Sequence, residues 1–149
     1  ARAIAQGAVE AVGAGKPSSA DATVKEIQTL LNEQFGASLA VDGIYGPATR
    51  RALLRAIQTV LNNEFGASLA VDGIWGPKTR RAVPNLRERN RGNLVKLLQA
   101  GLYVNGFDPG GIDGIFGPKT AAAVRSLQSA RGLAVDGIAG PFTFQALFQ

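Results

Sequence analysis

The sequence predicts an all-α protein built of two tandem three-helix units. Three observations carry that expectation. Apolar residues recur at helical spacing in several separate stretches. Glycine or proline stands at the ends of those stretches, where helices stop or start. One nine-residue phrase, a turn followed by a helix start, occurs four times: VDGIYGPAT at 41–49, VDGIWGPKT at 71–79, IDGIFGPKT at 112–120 and VDGIAGPFT at 135–143. Its aspartates lie 30, 41 and 23 residues apart, which is no single solenoid period and fits two units with two copies each.

Taken in order, residues 1–13 read as a short helix with Ile4, Ala8, Val9 and Val12 on one face, followed by a polar, glycine-containing linker to residue 21. A helix over 22–35 carries Val24, Ile27, Leu30 and Leu31 as a stripe and stops at Gly36. The next, over 47–64, carries Leu53, Ala56, Ile57, Val60 and Leu61. A short helix over 77–83 is stopped by Pro84, and 85–92 form a polar, basic junction. The scheme then restarts, with helices expected over 93–104, 118–130 and 141–148.

The repeated phrase has a physical logic. Asp-Gly favours a turn, because glycine adopts positive φ cheaply and aspartate bonds nearby amides. Gly-Pro opens a helix, because proline at the first helical position lacks a donor that would have gone unsatisfied. The threonine two places later is expected to bond back to the loop or to the aspartate. Ile44, Ile74, Ile115 and Ile138 are expected to anchor the turns in the core, together with Leu31, Leu53, Ile57, Leu61, Leu98, Val124 and Leu127. Asp42, Asp72, Asp113 and Asp136 then read as turn residues. One carboxylate per loop is too few for calcium.

Composition narrows the function. The 149 residues include no cysteine and no histidine, which excludes disulfides, thiol catalysis, thiolate metal sites and the usual zinc or Ser-His-Asp arrangements. No cofactor or metal is expected. A two-carboxylate glycosidase is disfavoured, since four of the eleven carboxylates belong to the turns. Without methionine, the chain reads as processed or as cut from something larger. No stretch resembles a signal peptide or a bilayer span. The net charge is +5, and six basic residues from Lys78 to Arg91 face one acidic residue, Glu88. Such a surface suits polyanions, among them nucleic acid, acidic lipid and an anionic cell wall.

At this point the motifs carry a resemblance. From Asn93 to Phe148, a Leu-Gln helix, the GFDPGGIDGIFGPKT turn, the AAVRSLQSARGL helix and a second VDGIAGP turn follow one another in an order that resembles a three-helix peptidoglycan-binding domain. Residues 22–84 resemble the same family, with a longer gap from Gln58 to Asp72 than from Gln128 to Asp136. The resemblance implies domains at 22–84 and 93–149, a basic linker at 85–92, and at 1–21 a leader helix and linker that is similar to the closing helix of N-acetylmuramoyl-L-alanine amidase domains. It also implies a non-catalytic, monomeric module at the cell wall, outside the membrane. That module would anchor an autolysin or endolysin to the stem peptide or glycan of peptidoglycan.

The variable position of the phrase holds Tyr45, Trp75, Phe116 and Ala139. Tyr45 and Trp75 each stand five residues before an arginine, Arg50 and Arg80, so a ring, an arginine and free amides of a helix start are expected side by side. In the second unit Phe116 takes the ring position, Ala121 replaces the arginine, and Arg125 and Tyr103 are the candidate substitutes. These seven residues are the expected ligand contacts. The alternative function is a basic helical nucleic-acid-binding protein. Against it, the Gly-Pro helix starts repeat regardless of charge, and residues 92–149, with four basic and three acidic side chains, are nearly neutral.

Overall fold

The computed structural model describes residues 21–149; the expected leader helix over 1–13 lies outside them. Among the described residues there are six helices and no strand: α1 (Ala22–Phe35), α2 (Pro47–Phe65), α3 (Pro77–Ala82), α4 (Asn93–Val104), α5 (Pro118–Ala130) and α6 (Pro141–Phe148). Four of them begin on the proline of the repeated phrase. The first begins instead on Asp21, whose carboxylate accepts from the amides of Thr23 at 2.8 Å and Val24 at 3.1 Å.

The stretch FGASLAVDGI, written twice, is a compact connector. Gly36 and Gly66 end α1 and α2 in the left-handed conformation. Asn32 then holds Leu39 by two bonds, accepting from its amide at 2.7 Å and donating to its carbonyl at 2.9 Å. Asn62 holds Leu69 the same way at the same distances.

The core explains why two units form one body. Helix α2 packs on both α1 and α3, and α4, α5 and α6 pack on one another, but α2 also packs on α4 and α3 on α6. A continuous apolar cluster runs from Ile27 and Leu31 through Leu53, Leu54, Ile57 and Leu61 to Leu97, Leu98, Val124, Leu127, Phe144 and Phe148. All seven aliphatic residues expected from the helical stripes are buried within it.

The isoleucines of the turns are a correction. Ile44, Ile74 and Ile115 are 56%, 64% and 45% exposed, and Ile138 is half-buried. The reason is the backbone. In each turn the isoleucine amide donates to the aspartate and its carbonyl accepts from a buried glutamine, so the main chain faces inward and the side chain turns out.

Candidate functional site

Each turn is built around one glutamine. The side chains of Gln28, Gln58, Gln99 and Gln128 are almost fully buried. In the second copy the Gln58 amide donates to Asp72 Oδ1 at 3.0 Å, to the Ile74 carbonyl at 3.1 Å and to Thr79 Oγ1 at 3.2 Å, while its own oxygen accepts from the Gly73 amide at 2.9 Å. Gln28, Gln99 and Gln128 repeat the set. The threonines therefore serve chiefly as buried acceptors for the glutamine. The signal was present in the sequence: a glutamine precedes the aspartate by fourteen residues in three copies and by eight in the last.

This network holds the aspartates ionised. The Asp42 carboxyl is held below its usual range by the Gln28 bond first and the Ile44 amide second. For Asp72, Asp113 and Asp136 the following isoleucine amide acts first and the glutamine second. These four carboxylates are thus structural acceptors. Among the described residues no group of acidic side chains is placed to hold a metal ion.

What the turns present outward differs between the units. In the first, the two turns and the start of α2 border a groove of about 600 Å³ lined by Tyr45, Arg50, Arg51, Ile74, Trp75 and Phe148. It collects three of the expected contacts, Tyr45, Arg50 and Trp75, and adds Arg51, Ile74 and Phe148, which the spacing argument did not find. Burial pushes the Tyr45 hydroxyl up to about 12, with Arg50 opposing the shift. Arg50 donates to the Phe148 carbonyl and, at 3.4 Å, to a backbone oxygen of Gln149, so the end of α6 fixes its guanidinium beside the ring.

The remaining expected contacts are not gathered there. Arg80 lies 5.8 Å over the Phe142 ring and 3.4 Å from Gln145 Oε1, on the seam between α3 and α6, and does not line the groove with Trp75. Phe116 is a correction: at 1% exposure it is a core residue, not a groove wall. Tyr103 donates to both carboxylate oxygens of Asp21 at 2.8 and 3.0 Å, which joins α4 to the start of α1. Burial first and the Asp21 bond second push its hydroxyl up to about 12. Arg125 is exposed and lies along the Gly137 turn.

Two further hollows occupy equivalent places in the two units, one of about 500 Å³ between Phe35–Leu39 and α2, the other of about 450 Å³ between Gly106–Gly110 and α5. Neither contains an expected contact. Among the described residues no helix is long and apolar enough to cross a membrane.

Comparison with known proteins follows this division. The family described as "Putative peptidoglycan binding domain" matches twice, over residues 20–83 and 91–147. Among solved structures, the N-terminal domain of SleB is 42% identical over 43% of this chain and 88% of its own, with a TM-score of 0.42. A peptidoglycan-binding protein from Clostridioides difficile, solved in complex with glutamine hydroxamate, is 43% identical over 44% of this chain and 40% of its own, again with a TM-score of 0.42. No curated protein matches. Nothing in these comparisons supports the nucleic-acid reading. Two matches that together span most of the sequence show that the chain belongs to the peptidoglycan-binding domain family and is a cell-wall-binding module made of two such domains.

Proposed function

We propose that this module holds a peptidoglycan hydrolase at the wall, and that the first unit makes the contact through the groove between its two turns. One observation carries the reading: Tyr45, Trp75 and Ile74 offer apolar surface beside the guanidinium groups of Arg50 and Arg51 in a single concave site. A stem peptide presents methyl groups and carboxylates at short spacing, and both find partners there. The buried turn network keeps that surface rigid, which lowers the ordering cost of binding.

The second unit lacks the arginine and buries its ring, so it serves as a brace for the first. An N-acetylmuramoyl-L-alanine amidase is the favoured catalytic partner, on the likeness of the leader sequence alone. The module acts outside the membrane, as a monomer, with domains at 22–84 and 93–149.

The experiment is co-sedimentation with purified sacculi, run beside DNA binding at the same salt. Trp75→Ala and Arg50→Ala, each with an unchanged melting temperature, are expected to lose sacculus binding. Parent-like binding by both folded variants would move the site elsewhere.

A further inference from the structure

Five pairs in this chain place a glycine directly after an aspartate or asparagine. Such pairs are open to attack on the side chain by the next backbone nitrogen, because glycine has no Cβ to crowd it. Four are the Asp-Gly pairs of the turns, and there the nitrogen is committed. The Gly43, Gly73, Gly114 and Gly137 amides donate to buried glutamine oxygens at 2.9, 2.9, 2.8 and 3.0 Å. The aspartates of these pairs are held ionised, and a carboxylate is a poor electrophile. The fifth pair is Asn105-Gly106, whose side chain is a neutral amide. Asn105 ends α4 and is half-buried, and Gly106 is exposed, its amide donating to the Tyr103 carbonyl at 3.0 Å in a surface turn. Helix ends open at little cost, so this nitrogen is released far more often than those of the turns.

What Asn105 holds gives this pair a consequence. The last carbonyls of a helix have no partner within it. At the end of α6, three in a row accept from side chains of other elements: Ala146 from Arg131 at 3.2 Å, Leu147 from Asn105 Nδ2 at 3.3 Å, and Phe148 from Arg50. The same Asn105 nitrogen donates to the Gly101 carbonyl at 2.7 Å, which ties the end of α6 to the last turn of α4. Phe148 and Arg50 both line the groove of the first unit. Asn105 stands outside that groove and still helps to seat one of its walls.

We infer that Asn105 is a site of spontaneous deamidation and that its conversion loosens the groove. The Gly106 nitrogen, having given its proton to hydroxide, attacks Cγ of Asn105. The new N–Cγ bond closes a five-membered imide, and the Cγ–Nδ2 bond breaks as ammonia leaves with a proton from water. Water then opens the imide at either carbonyl, giving an aspartate or an isoaspartate. Either product replaces an amide donor by a carboxylate, which only accepts. It cannot bond the Leu147 or Gly101 carbonyl, and its charge repels both. The end of α6 therefore loses a tie, and with it go the seat of Phe148 and the acceptor of Arg50. The effect on binding rests on the wall-binding reading above; the chemistry and the loosening of α6 do not.

The test is to age the whole chain in mildly alkaline buffer and to locate the modified residue by peptide mass spectrometry with enzymatic isoaspartate detection. Phe148 amide exchange by NMR and sacculus co-sedimentation run in parallel. Asn105 is expected to convert about tenfold faster or more than any of the four Asp-Gly pairs. The aged chain and Asn105→Asp are each expected to exchange the Phe148 amide about tenfold faster and to bind sacculi about three- to tenfold more weakly. Asn105→Gln keeps an amide donor and cannot close the five-membered ring, so it is expected to age without either change. Conversion of the Asp-Gly pairs ahead of Asn105, or none at Asn105, would overturn the site. Parent-like Phe148 exchange in both the aged chain and Asn105→Asp would overturn the tie to α6. Faster exchange with undiminished sacculus binding would cut the link from α6 to the groove. A parent chain that never binds sacculi would remove the wall-binding reading, while mass and exchange would still decide the site and the tie.

Discussion

Gln58 donates to Thr79 across 3.2 Å of fully buried space, joining the middle of α2 to the first turn of α3. The same amide also reaches Asp72 and Ile74, so one side chain closes the loop between two helices. Replacing Gln58 with alanine leaves the Gly73 amide and the Thr79 hydroxyl buried without this partner. We expect a loss of about 1–3 kcal/mol in urea unfolding. A loss below a few tenths would mean that water replaces the amide.

The turn isoleucines should prove dispensable. Ile115 is 45% exposed, whereas Leu98 is fully buried. Ile115→Ala is expected to cost less than about 1 kcal/mol, against about 2–5 kcal/mol for Leu98→Ala. Equal costs in denaturant melts would show that the exposed isoleucine side chain nevertheless supports the turn.

Acid should loosen all four turns. Asp42, Asp72, Asp113 and Asp136 are held below the ordinary value of 3.8 in the folded chain by hydrogen bonds. A depressed carboxylate contributes stability that is fully present above its unfolded value and is lost as pH falls through its folded value. The melting temperature is therefore expected to be flat from neutrality to about pH 5 and to fall steadily below about pH 4. Asp113→Asn, which keeps the acceptor oxygen and removes the titration, should flatten part of that fall.

The two tyrosines give a spectroscopic check at the other end of the scale. Both hydroxyls are raised from 10.0 to about 12, chiefly by burial. The native chain should show no tyrosinate absorbance step near 10. A raised group contributes stability that is complete below its unfolded value, so stability should decline as pH rises from about 10 toward about 12. A full step near 10 in the folded chain would place both rings in water.

Close approach within the second unit supplies a last test. A methyl group at Gly101 in α4 would lie 2.5 Å from Cζ of Phe148. Alanine favours the helix by about 1 kcal/mol, yet overpacking a filled core costs about 1–3 kcal/mol. Since Phe148 is fully buried and cannot swing aside freely, we expect Gly101→Ala to lower the melting temperature. A rise would show that the α6 end yields.

Much of this was legible in the sequence because helix signals are local. Gly-Pro at 46–47, 76–77, 117–118 and 140–141 opens a helix each time, and the stripes at Leu53, Ile57 and Leu61 point to the core as their spacing requires. The turns were less legible. An isoleucine in an apolar phrase looks buried until its amide and carbonyl are seen to face inward. The groove was half legible. Tyr45, Arg50 and Trp75 meet, but Phe148 joins them from a helix that folds back against the first unit, and no local pattern encodes that approach. Phe116 shares Tyr45's place in the phrase and is nevertheless a core residue, and its backbone is paired with Arg89 and Asn90 from the junction between the units, a long-range contact that the phrase itself does not encode.

The seam between α2 and α4 bears on how this protein can be engineered. Tandem binding domains are commonly handled as beads that can be cut, shuffled or added one at a time. Here the natural scissors point, around residue 85, would strip an apolar helix face on each side and cut immediately ahead of residues 86–92, whose backbone is bonded to the turns of the second unit. Each half alone is expected to be poorly soluble. The portable cassette for fusion to another catalytic domain is the whole of 21–149, and a third copy would need a seam of its own.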